Sequence, residues 1–330
     1  MDAGRRFLLT GLAAASLTPR PAVAQPPGKI WRLGFLYSGS RQSMIETGRF
    51  RALHDGLRDL GYVEGKNLVI EARFFEGDPE RLRTFAAELI QLNPDVVVAS
   101  GASPAKVLQR MSPTIPIVVA VAFDPVREGL AVSLAHPGSN VTGLAALLDE
   151  VFPKHVELLK QAVPNLTRLA ALSRPTNSSH PGVLKRVHDI AGRLGVQVLP
   201  VAVASLKDLE PGFATMGRER VEGLLILGDG FFVQHLPQIA TLALKQRLPS
   251  TYSGHEYPES GGLMSYGPNF SDNYRRVAHF VDRIVRGAKP GDLPFEQPTR
   301  LHLVINLKAA TAIGVTIPPS LRLRADRVIE

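Results

Sequence analysis

The middle of this chain is written twice. The run Arg32-Leu33-Gly34-Phe35-Leu36-Tyr37 returns as Arg168-Leu169-Ala170-Ala171-Leu172-Ser173, apolar until it breaks into small polar residues. In each copy a helical stretch follows and closes on Leu-Gly, at Leu60-Gly61 and at Leu194-Gly195. A second strand comes next, from Asn67 to Phe74 and from Val196 to Val203. An acidic residue opens the third, Asp95 before Val96-Val97-Val98 and Glu222 before Gly223-Leu224-Leu225-Ile226. Both third strands run into a Gly-bearing turn, Ser100-Gly101 and Gly228-Asp229-Gly230, and a proline leads the fourth strand at Pro116 and at Pro249. Strands alternating with helices build βαβ units around a parallel sheet. Two copies therefore predict an α/β chain of two Rossmann-like lobes, joined by a hinge that the backbone crosses more than once. Such lobes leave a cleft between them, and clefts of that kind hold small ligands.

A length of 330 residues is long for one core and comfortable for two. Residues 1–24 are expected to be a cleaved signal peptide. Arg5-Arg6 precede an apolar stretch, Phe7 to Leu17, too short to span a bilayer, and Ala22-Val23-Ala24 supplies a small-residue cleavage pattern. The paired arginines suit twin-arginine export, and general secretion fits as well; either implies export. Residues 28–147 with about 268–300 are assigned to the first lobe and 148–267 to the second. Residues 301–330 supply a last strand, a short helix and a tail near the hinge.

Three-and-four spacing of Phe50, Leu53, Leu57 and Leu60 predicts one amphipathic helix over 45–60. Asp78 before Pro79 is typed as an N-cap, and Ser103 before Pro104 likewise. Helix signals are read over Val126 to Leu134, and again over Asp272 to Arg286 in a helix expected to pack back on the first lobe.

In an open parallel sheet, ligands meet the loops at the carboxyl ends of the strands. That rule selects Ser38, Gly101, Ser103 and Asp124 from the first copy, and Asn177, Ser178, Asp229 and Tyr252 from the second, with Tyr266 at a lobe crossing. Small hydroxyl, amide and carboxylate groups with aromatic rings suit a polar or zwitterionic small molecule. A helix opening at Ser103 would present N–H groups to a carboxylate, and Asp124 or Asp229 would take an ammonium group. Each residue also has a plainer reading: Ser103 as a cap, Asp124-Pro125 as a strand stop, Asp229 between glycines as a turn former.

Other chemistries find little support. The chain has no Cys, which removes disulfides, thiolate metal sites and a thiol nucleophile. Its nine His are dispersed without ligand spacing, and neither a nucleophile elbow, a P-loop nor a dinucleotide fingerprint is present. The formal net charge of +8 drops when a leader carrying Arg5, Arg6 and Arg20 is removed, and the remaining basic residues form no aromatic-interleaved stripe. No enzyme, no cofactor, no metal and no nucleic-acid partner is expected.

Several turns and crossings carry a resemblance. They are Gly56-Leu57-Arg58-Asp59-Leu60-Gly61-Tyr62-Val63-Glu64-Gly65-Lys66-Asn67, Phe123-Asp124-Pro125-Val126 and Pro137-Gly138-Ser139-Asn140-Val141-Thr142-Gly143. Gly262-Leu263-Met264-Ser265-Tyr266-Gly267, Leu293-Pro294-Phe295-Glu296-Gln297-Pro298-Thr299 and the close from Ile305-Asn306-Leu307-Lys308 to Ile317-Pro318-Pro319-Ser320 continue it. The chain resembles the ABC-transporter solute-binding proteins of the tryptophan/tyrosine-type group, which share the type I periplasmic binding fold. Ser103-Pro104-Ala105 stands where the aromatic-amino-acid binders of that group carry Thr-Pro-Ala, and Asp229-Gly230 where they usually carry Asp-Asn. The resemblance implies a monomer that captures a small solute in the periplasm and delivers it to a permease with its ATPase at the inner membrane. A sensor of the same fold, signalling to a membrane receptor, is the alternative.

Overall fold

The computed structural model describes residues 28–146 and 148–330; the expected signal peptide lies outside them. The first unit begins with β1 (Trp31–Tyr37), α1 (Arg41–Glu46), α2 (Arg49–Asp59), β2 (Leu68–Phe74) and α3 (Pro79–Gln91). It continues with β3 (Val96–Ala99), α4 (Ala102–Met111), β4 (Ile117–Ala122) and β5 (Val141–Ala145). These strands form a sheet in the order β2-β1-β3-β4-β5, parallel throughout. Every residue of β3 and β5 is buried, and β3 is the uninterrupted apolar run expected of a strand covered on both faces.

The second unit repeats the order. It comprises α5 (Leu148–Ala162), β6 (Arg168–Ser173), α6 (His180–Arg193), β7 (Gln197–Ala202), α7 (Leu209–Arg218), β8 (Gly223–Ile226) and α8 (Gly230–Gln234). Then come α9 (Leu236–Lys245), β9 (Ser250–Tyr252), α10 (Glu256–Glu259) and β10 (Met264–Gly267). After α11 (Phe270–Val285) follow β11 (His302–Asn306), α12 (Leu307–Ile313), α13 (Pro319–Leu323) and β12 (Arg327–Ile329). The second sheet runs β12-β11-β10-β9-β8-β6-β7, parallel except where β11 meets β10. Both sheets thus follow the α/β plan expected from the doubled pattern.

The backbone crosses between sheets more than once. Helix α11 follows a strand of the second sheet yet buries Tyr274, Val277, Ala278, Val281 and Ile284 among Phe35, Leu53 and Leu57 of the first. The Leu293–Gln297 segment returns along β5, where the Glu296 N–H donates to the Gly143 carbonyl and the Thr142 hydroxyl donates to the Leu293 carbonyl at 2.7 Å. Gly143 has φ +143°, and a Cβ there would stand 2.1 Å from the Val119 carbonyl oxygen. Only glycine fits that approach.

Three local readings are corrected. The helix expected over 45–60 is two helices, α1 and α2, because Gly48 sits in the left-handed region at φ 69° and restarts the chain as the N-cap of α2. Helix α4 starts at Ala102 with Gly101 at the N-cap position, so Ser103 is its second residue rather than its cap. Residues 126–134 form turns: Glu128 donates to the Asp124 carbonyl, and Gly129 at φ 72° then ends the single turn. The last strand expected from sequence, β11, pairs with β10 in the second sheet and has β12 beside it.

Candidate functional site

A cavity of about 110 Å³ lies between the loops of the two sheets. Tyr37 and Ser38 end β1, Ser100 to Pro104 link β3 to α4, and Val121 and Phe123 end β4. Facing them are Thr176, Asn177 and Ser179 after β6, Gly228 to Gly230 after β8, and Tyr252 at the end of β9. Both sets sit at carboxyl ends of parallel strands, where helix starts and short loops converge. Arg49 from α2 and Phe270 and Tyr274 from α11 complete one side.

Of the residues chosen from sequence, Ser38, Gly101, Ser103, Asn177, Asp229 and Tyr252 line this cavity. Three do not. The Asp124 carboxylate turns to its own loop, accepting from the Arg127 N–H at 3.1 Å and pairing with its guanidinium. Ser178 is exposed, and its neighbour Ser179 takes the place at the wall. Tyr266 packs its ring edge-on against His155, at 6.1 Å, in the core of the second unit.

Local chemistry explains the positions that remain. In the first turn of α4, Ala102 and Ser103 have no intrahelical acceptor for their N–H groups, and Pro104 has no N–H. Two donors at a positive helix end thus stand beside Ser100, whose hydroxyl accepts from the Ser38 N–H at 3.0 Å. Asp229 caps α8 by accepting from the Phe231 N–H at 2.7 Å, and it also accepts from the Asn177 amide at 2.8 Å.

Sequence reasoning missed the charged groups behind the wall. Arg49 is buried on the α2 face that carries Leu53 and Leu57, a continuation of the apolar stripe by one more step of four. Its Nη2 meets Glu256 Oε1 at 2.5 Å, its Nη1 donates to the Tyr37 hydroxyl at 3.3 Å, and it lies 4.9 Å over the Phe270 ring. Burial disfavours both charges, but each partner's field outweighs that cost, holding Arg49 above its ordinary pKa and Glu256 below its own. Arg174 is equally buried, 4.1 Å over the Phe231 ring and 4.0 Å from Asp229, and it donates to the Gly77 carbonyl at 2.9 Å. Burial lowers its pKa, against the pull of Asp229. Each guanidinium thus stands beside one carboxylate, and the formal charges around the cavity balance.

Histidine 180 braces this wall. Its Nδ1 accepts from the Arg174 N–H at 2.7 Å, so the ring is neutral and its Nε2 donates to the Gly228 carbonyl at 3.1 Å. Burial lowers its pKa and favours that form. Among the described residues no group of His, Asp and Glu side chains could hold a metal ion, and no helix is long and apolar enough to cross a membrane.

Residues 42–329 match the family of ABC transporter substrate binding proteins. The tyrosine-binding protein of Clostridioides difficile (strain R20291) is 21% identical over 272 residues, covering 82% of this chain and 76% of that protein. A crystal structure of a conserved domain protein from Vibrio cholerae superposes with a TM-score of 0.84 at 27% identity, over 91% of this chain and 100% of the other. A Streptococcus pneumoniae ABC domain in complex with L-Trp gives 0.83 at 26% identity, with the same coverage.

Proposed function

The chain belongs to the ABC transporter substrate-binding proteins, and from that premise we propose that it is the periplasmic receptor of an importer for a net-neutral, amino-acid-like solute. One observation carries the solute class. The cavity offers unpaired N–H donors at the start of α4 and a carboxylate at Asp229, while its charged groups sum to zero. An α-carboxylate suits the first, an α-ammonium suits the second, and a zwitterion leaves the balance undisturbed. The L-Trp complex of the S. pneumoniae domain and the name of the C. difficile relative support an amino acid. In this reading residues 28–147 with about 268–300 move as one lobe and 148–267 as the other. The solute closes them, and the closed form docks on a permease driven by its ATPase. The leader at residues 1–24 directs export.

Calorimetry on ligand-stripped protein tests the assignment. Asn caps a helix as well as Asp does, so Asp229→Asn keeps the start of α8 while removing the charge and one of the two acceptor oxygens. We expect the unliganded melting temperature to fall because buried Arg174 loses its carboxylate, and amino-acid affinity, measured where the variant is folded, to fall roughly ten- to a hundredfold. Unchanged affinity in this variant would reduce Asp229 to a cap.

A further inference from the structure

Five tyrosines are almost completely buried, at 2% exposure or less: Tyr37, Tyr62, Tyr252, Tyr257 and Tyr274. Three have their hydroxyls satisfied within the protein. Tyr62 donates to Asp282 at 2.8 Å, Tyr257 donates to the Ser250 hydroxyl at 2.6 Å, and Tyr37 accepts from Arg49. The hydroxyls of Tyr252 and Tyr274 have no hydrogen-bond partner among the described residues, yet they are not sealed in the core: neither is an enclosed orphan, and both residues line the cavity. Buried polar groups in native proteins are paired almost without exception. These two hydroxyls, one from β9 and one from α11, are placed to pair with a group that enters the cavity.

We propose that Tyr252 and Tyr274 are specificity-determining residues that read a hydrogen-bonding group on the side chain of the bound solute, selecting it over an isosteric apolar one. The inference rests on the amino-acid reading above and goes further by naming which part of the solute these residues contact. The α-carboxylate and α-ammonium have their partners elsewhere, on α4 and at Asp229, so β9 and α11 are left for the side chain. Arg49 lies close by, but its charge is engaged by Glu256, so recognition falls to neutral O–H groups. Burial raises both phenol pKa values, which keeps them protonated and able both to donate and to accept. Tyr37 meets Tyr274 edge-to-face with centroids 6.5 Å apart and packs against that ring. An apolar side chain would strip water from two hydroxyls and return nothing, a loss of roughly tenfold or more in affinity for each.

The experiment is calorimetric titration of ligand-stripped protein with the twenty L-amino acids, using L-tyrosine and L-phenylalanine as a matched pair. Wild type, Tyr252→Phe, Tyr274→Phe and the double variant are compared, with thermal melts of each unliganded protein confirming that the rings still pack. The tightest ligand is expected to carry a distal hydrogen-bonding group. The matched pair is expected to differ by roughly tenfold or more. Each Phe variant should shrink that ratio while affinity for the apolar partner holds or rises. Equal binding of the pair by wild type, an apolar tightest ligand, or a ratio that survives in the double variant overturns the proposal. Failure of all twenty to bind overturns the amino-acid reading instead, and this inference with it.

Discussion

Arg49 on α2 and Glu256 on α10 form a buried ion pair that joins elements packed on different sheets, with Nη2 and Oε1 2.5 Å apart. Only one guanidinium nitrogen meets the carboxylate. Glu256 Oε2 and Arg49 Nε have no partner among the described residues. Arg174 makes a second tie in the opposite sense, from the loop after β6 to the Gly77 carbonyl before α3.

Removing one member of the Arg49–Glu256 pair leaves the other charge buried alone. Arg49→Met is therefore expected to cost about 3–5 kcal/mol, and adding Glu256→Leu should recover much of it. The folded pKa of Glu256 is depressed, so its share of stability is present above the ordinary carboxylate value of 4.5 and is lost as pH falls through the folded value. A denaturant-based double-mutant cycle at neutral pH measures the coupling; strictly additive single losses would show that the pair is not a unit.

Close contact of the two units depends on Gly230. A Cβ there would lie 2.2 Å from the Ser38 hydroxyl oxygen and 2.6 Å from the Gly39 backbone nitrogen. Gly230→Ala should block this approach without disturbing either sheet. The expected result is unliganded stability near wild type and a fall in solute affinity of tenfold or more, because about 1.4 kcal/mol of obstruction suffices for each factor of ten. Small-angle scattering with saturating solute should show the variant staying extended where wild type contracts. Equal contraction in both would place the closing contact elsewhere.

His155 makes acid stability a test of burial. The ring is fully enclosed between Phe152 and Tyr266, its Nδ1 is 2.8 Å from the Thr251 hydroxyl, and burial lowers its pKa from 6.5 to about 3. The unfolded chain binds the proton first. Stability contributed by the neutral ring is whole above pH 6.5 and declines as pH falls toward 3, by about 1.4 kcal/mol per pH unit. His180, also lowered by burial, adds in the same direction. Chemical denaturation at several pH values should show His155→Gln with a shallower slope between pH 6 and 4 than wild type; parallel slopes would mean that His155 takes up its proton in the folded state.

The doubled pattern by itself determined most of the architecture, because each βαβ unit is specified locally. Apolar runs at Leu33 to Tyr37 and Val96 to Ala99 make buried strands whatever surrounds them, and the carboxyl-end rule reached Ser38, Gly101, Ser103, Asn177, Asp229 and Tyr252 without coordinates. The same rule brought in Asp124 and Ser178, since spacing along a loop does not say which way a side chain turns. Tertiary structure decided what depends on contacts distant in sequence. Glu256 meets Arg49 from 207 residues away, and Tyr274 reaches the cavity only because α11 crosses back onto the first sheet. An arginine on a helix reads as a solvated surface group until a partner is placed beside it. Burying that charge is tolerable only with Glu256 at hand, and no local pattern encodes the pairing.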